Sequence, residues 1–151
     1  MMKIDAIFLI QKMAFTEEEC GLVGARNLDP YFLWGTDAAI VVDRRGSSDI
    51  VTSFGGYSPF CDIAYGEFIE DVAVEEGLVN WGCTAGGSSD TRIWAESGIQ
   101  SVNLTAGYRN EHTDSETLDV EACYEVTRLV DGFFGKSREL RGVLRWVERN
   151  E

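Results

Sequence analysis

Short apolar runs alternate with longer amphipathic segments along this chain, and that alternation constrains the fold more than any single motif. Residues 4–10 are almost wholly apolar, the pattern of a strand covered on both faces. Thr16 opens a helix, with Glu19 three residues on completing a Thr-x-x-Glu capping box. That helix runs to about Arg26 and is broken at Asp29-Pro30. Residues 38–43 read as a second strand ending on Asp43, and residues 49–54 as a short third. Residues 60–76 have helical periodicity, with Ile63, Phe68, Ile69, Val72 and Val74 on the apolar side and Gly77 as the stop. A strand at 78–83, a glycine-rich loop at 84–90, a short helix at 91–96 and a strand at 99–104 follow. Asp119 is placed to cap a long helix at 120–134, whose core face reads as Val120, Cys123, Val126, Val130 and Phe133. A mixed-charge helix at 137–149 closes the chain. This order predicts one α/β domain over residues 1–151: a three-layer αβα arrangement, with a mostly parallel sheet and helices on both faces.

Charge narrows the partners. Thirteen Lys and Arg against 26 Asp and Glu leave a formal net charge of −13. So acidic a surface repels phosphate backbones and anionic lipid, which argues against nucleic acid and membrane as partners. It is compatible with binding cations. The cysteines at 20, 61, 83 and 123 form no Cys-x-x-Cys pair and read as free thiols in a reducing compartment. The N-terminal apolar run is too short to span a membrane and carries no small-residue cleavage site, so a cytoplasmic location is expected.

Five residues stand out for chemistry: Glu18, Glu19, Asp43, Asp90 and His112, the single histidine. Singly, each has an ordinary explanation. Acidic residues favour the first turn of a helix, Asp43 suits a turn, and His112 suits a polar loop. Jointly, they fall in loops or helix starts just after predicted strands. In a parallel sheet such positions share one edge. A Glu, an Asp and a His form an oxygen/nitrogen ligand set suited to zinc or a similar divalent ion, and a neighbouring carboxylate can take the proton of an activated water.

Four motifs then carry a resemblance. Phe15-Thr16-Glu17-Glu18-Glu19-Cys20-Gly21 resembles the Glu-Glu motif of the co-catalytic dizinc metallo-exopeptidases, the clan of aminopeptidases, carboxypeptidases and tripeptidases. Ala39-Ile40-Val41-Val42-Asp43 is similar to that clan's strand ending in a metal-binding aspartate. Gly86-Gly87-Ser88-Ser89-Asp90 resembles its glycine-rich loop, and His112-Thr113-Asp114-Ser115-Glu116 its closing His-(Ser/Thr)-x-x-Glu motif. The order and spacing agree over roughly residues 4–134, and the glutamyl-aminopeptidase-like branch is the nearest in character.

The resemblance implies Glu18 as general base, Glu19 and His112 as ligands of one metal, Asp43 as ligand of the other, and Asp90 beside the substrate crevice. It implies a hydrolase of small peptides using one or two ions of zinc, cobalt or manganese. It also implies a departure. Clan members carry an earlier His-x-Asp segment that supplies a ligand and a bridge, and this sequence has none, so it corresponds to the C-terminal portion of such a catalytic domain. Three expectations follow: a single-metal hydrolase, a chain complemented by a second polypeptide, or an inactive relic kept as a binding module. A sheet lacking early strands presents an edge, which favours a homo-oligomer or a complementing chain there.

Overall fold

The computed structural model describes residues 22–151. The expected strand at 4–10, the capping box at Thr16 and Glu19, and Glu18 lie outside the described residues. Helix α1 (Val23–Arg26) is followed by a 3₁₀ turn (Pro30–Phe32), where the Asp29 side chain accepts from the Tyr31 amide. Strands β1 (Ala38–Arg45) and β2 (Asp49–Phe54) come next, and the short β3 (Ser58–Pro59) folds back on β2. Helix α2 (Ile63–Glu75) begins at its cap Asp62, whose carboxylate accepts from the Ala64 amide at 2.9 Å. Then follow β4 (Gly82–Gly86), α3 (Asp90–Glu96), β5 (Gln100–Arg109), β6 (Thr117–Leu118), α4 (Val120–Gly135) and α5 (Ser137–Asn150).

The protein is α/β, and its sheet is mixed. The two longest ladders, β1 with β5 and β2 with β4, are parallel. Three shorter ladders, β2 with β5, β2 with β3 and β5 with β6, are antiparallel. β4 therefore runs opposite to β1 and β5.

Alternation along β1 splits its side chains between two apolar clusters among the described residues. Ala38 and Ile40 join Ile50, Val102 and Leu104 of the sheet with Tyr65, Ile69 and Val72 of α2, Leu129 and Phe133 of α4, and Leu140 of α5. Ala39 and Val41 join Leu22 and Ala25 of the α1 region, Ile93 and Trp94 of α3, and Ile99. The apolar run at 38–41 thus serves a cluster on each face, while Val42 beyond it is exposed. Phe133 anchors the first cluster, meeting Tyr65 edge-on at 6.3 Å and Phe68 at 5.9 Å between ring centres. The buried Tyr65 hydroxyl donates to the Ala39 carbonyl at 3.2 Å, tying α2 to β1.

The helical periods were legible, but their buried faces differ in detail. Ile63 and Val74 of α2 and Val120 of α4 are exposed, whereas Tyr65, Ala73, Ala122 and Leu129 are buried. Ile63 and Val120 are the first residues of their helices, before the helix reaches its packing partners. The expected strand at 78–83 is displaced. Leu78 and Trp81 are buried from a connecting segment, and pairing begins at Gly82 and runs into the glycine-rich stretch.

Candidate functional site

The ladder between β1 and β5 breaks its register at Asp43. Val42 pairs with Leu104, and the next pair is Arg44 with Thr105, so Asp43 is an extra residue on β1. Such a bulge turns a side chain out of the regular alternation. It also takes the Asp43 amide out of the ladder. The Asn103 side chain, on β5, supplies the missing partner: the Asp43 N–H donates to Asn103 Oδ1 at 3.3 Å. The same amide group returns a bond, Asn103 Nδ2 donating to Asp43 Oδ1 at 2.5 Å. Asn103 is buried and Asp43 is exposed, so a rigid interior group holds a carboxylate that faces outward.

Asp90 reaches this place by a route the strand ends do not provide. Because β4 runs against β1 and β5, its C-terminal end does not share their edge. Gly86 instead lies against the Val51 side chain and the Arg44 guanidinium, where a Cβ would fall 2.6 and 2.9 Å from them. Ser89 then caps α3, its Oγ accepting from the Thr91 amide at 3.3 Å, and Asp90 is the first helical residue. Asp90 Oδ1 is buried with no hydrogen-bond partner among the described residues. Burial pushes the Asp90 carboxyl above its ordinary range, and the negative charge of Asp43 pushes it further.

His112 lies in the loop between β5 and β6, exposed, with a left-handed φ of 64°. The loop is braced from within. The His112 N–H donates to Glu116 Oε2 at 3.2 Å, and Thr113 Oγ1 donates to the Asn110 carbonyl at 2.7 Å. It is also tied to the end of β1, where Arg45 pairs with Glu111 at 2.8 Å. Asp43, Asp90, Asn103 and His112 line one open groove along β1, together with Glu111 and Glu116.

Asp43, Asp90 and His112 therefore share a surface, and Glu18 and Glu19 lie outside the described residues. Among the described residues, no three of His, Cys, Asp or Glu form a group that could hold a metal ion. The groove is lined by an outward-facing carboxylate, Asp43, an exposed imidazole, His112, and the Asp90 carboxyl with its oxygen that has no donor among the described residues. Asn103 and the Arg45–Glu111 tie were not singled out from sequence. The available signal for Asn103 was an amide set between the apolar Val102 and Leu104, since a buried polar side chain needs a partner. Cys61, Cys83 and Cys123 are free thiols, and the first two are pushed up to about 12, in both cases chiefly by burial. Among the described residues no helix is long and apolar enough to cross a membrane.

No family model matches the chain, and no solved structure matches it. Similarity is found to the "Uncharacterized protein YqjE" of Bacillus subtilis (strain 168), 28% identical over 94 residues. The match covers 62% of this chain and 25% of that protein, so the chain spans about a quarter of the relative's length.

Proposed function

We propose that this chain is a metal-dependent, aminopeptidase-like hydrolase of small peptides, built on a three-layer αβα, mostly parallel sheet of the zinc-exopeptidase kind. One observation carries the reading: Asp90 holds a buried, unpartnered carboxyl oxygen against the field of Asp43, in the groove that His112 also lines. Two facing carboxyl groups repel each other unless a proton or a cation lies between them. An oxygen/nitrogen donor set of this type suits zinc, cobalt or manganese.

Asp43 and His112 would hold such an ion, with Glu19 as the further ligand and Glu18 as the base; these roles rest on the motif resemblance, and the groove shared by Asp43 and His112 supports the first two. When bound, the ion supplies a positive charge that polarises a peptide carbonyl and makes an adjacent water more acidic. The chain's own part is to orient and to move protons. Asp43 is held by Asn103, the His112 loop is held by Arg45 through Glu111, and Glu18 collects a proton from water as the peptide bond is attacked. Asp90 borders the crevice that takes the peptide substrate. A second copy or a complementing chain joins through a sheet edge.

The test is release of amino acids from di- and tripeptides by the purified chain with zinc, cobalt or manganese. The reading expects activity that a chelator abolishes and that Glu18→Gln lowers by about 10²-fold or more. Absence of hydrolysis with all three metals, or hydrolysis indifferent to chelator, contradicts it.

A further inference from the structure

We infer that Asn103 is the positioning residue of this site, the group that sets both the backbone and the carboxylate of Asp43. The inference rests on reading Asp43 as a ligand, and it assigns a part to a residue that lies outside every motif in the sequence.

Three observations carry it. First, the bulge at Asp43 removes one residue of β1 from the ladder, and the freed N–H goes to Asn103 Oδ1 at 3.3 Å. Secondly, the other end of the same amide donates to Asp43 Oδ1 at 2.5 Å. One rigid planar group therefore fixes the main chain and the side chain of a single residue, which sets the direction its carboxylate faces. Thirdly, Asn103 is only 6% exposed, on a strand whose neighbours Val102 and Leu104 are fully buried. It cannot swing out to water, so its hydrogen bonds must be made here. An apolar residue would suit that strand if packing were the whole requirement. Groups that orient a metal ligand through a hydrogen bond alter metal affinity by about 10- to 100-fold when removed.

The experiment compares wild type with Asn103→Leu, which keeps the number and branching of the side-chain heavy atoms and removes both bonds, and with Asn103→Ser should the leucine variant not fold. Thr105→Val is the control. It removes a buried hydroxyl from the same strand, one that accepts from the Asp49 amide at 2.9 Å and is not bonded to Asp43. Two quantities are read: hydrogen exchange at the Asp43 amide by NMR in the metal-free chain, and zinc affinity by calorimetry. The Asn103 variants should exchange the Asp43 amide at least about 10-fold faster and bind zinc about 10- to 100-fold more weakly. Thr105→Val should change neither. In an Asp43→Ala background, Asn103→Leu should cause no further loss of zinc affinity, because its effect passes through Asp43.

Wild-type exchange at Asp43 in a folded Asn103 variant overturns the inference. So does unchanged zinc affinity, or an equal loss in the Thr105→Val control or the Asp43→Ala background. If wild type binds no zinc, it is the metal reading that fails, and the amide exchange alone decides the part of Asn103.

Discussion

Replacing Asp90 by Asn should make the metal-free protein more stable at neutral pH, although it alters a residue of the candidate site. Two effects oppose each other. A buried acceptor without a donor costs about 1–3 kcal/mol, and more when it is charged. Asp90 Oδ1 is such an atom, and the negative charge of Asp43 adds to its cost. Against this, an anion in the first turn of α3 gains about 0.3–1 kcal/mol from the helix dipole. The helix has only seven residues, which puts the gain at the lower end. Removing the charge while keeping the shape should therefore stabilise by about 1 kcal/mol, or about 3 °C in melting temperature for a domain of this size.

The pH dependence follows from the direction of the shift. The folded protein holds the Asp90 proton more tightly than the unfolded chain, so ionisation costs stability above the raised folded value. That cost is relieved as pH falls through the folded value, and it is gone below about 4, the ordinary range of an aspartate. Thermal melts of wild type and Asp90→Asn in chelator, at pH 7.5 and at pH 4, test this. The variant should lead at the higher pH and the two should converge at the lower. A variant less stable at pH 7.5, or a gap that is the same at both, refutes the reasoning.

Two further perturbations probe the frame around the site. A Cβ at Gly66 of α2 would fall 2.9 Å from Cys83 Sγ and 3.1 Å from Thr52 Cγ2. Gly66→Ala should thus destabilise by about 1 kcal/mol, overpacking of about 1–3 kcal/mol being partly offset by alanine's better helix propensity; urea titration should show Cys83→Ala restoring the loss in the double variant. Cys83 is exposed, yet burial of its sulfur and the adjacent Glu70 carboxylate push its thiol up to about 12. It should alkylate about 10³-fold more slowly than a free thiol at pH 8, and Glu70→Gln should speed it; a Cys83 that reacts like a free cysteine contradicts that environment.

The strands and helices were legible because their signals are local. Residues 38–41 are apolar without alternation and pack into a cluster on each face, and Asp119 caps α4, the helix it precedes. The directions of the strands were less legible, because a β-α-β order does not say which way β2 and β4 run. β4 turned out to oppose β1 and β5, so Asp90 comes near Asp43 through the segment 87–89 and α3, and not through a shared row of strand ends. The bulge at Asp43 was hidden for a similar reason. It is a mismatch of register between two strands about sixty positions apart, and neither strand alone shows it. Asn103 belongs with it: its part exists only once β5 lies beside β1.

The most direct test of the account is a zinc titration of the purified chain by calorimetry beside Asp43→Ala and His112→Ala, with the metal content of each checked by elemental analysis. The wild type should bind zinc saturably, and either substitution should weaken the binding at least about 10-fold. Equal affinity in all three proteins, or no binding by the wild type, contradicts it.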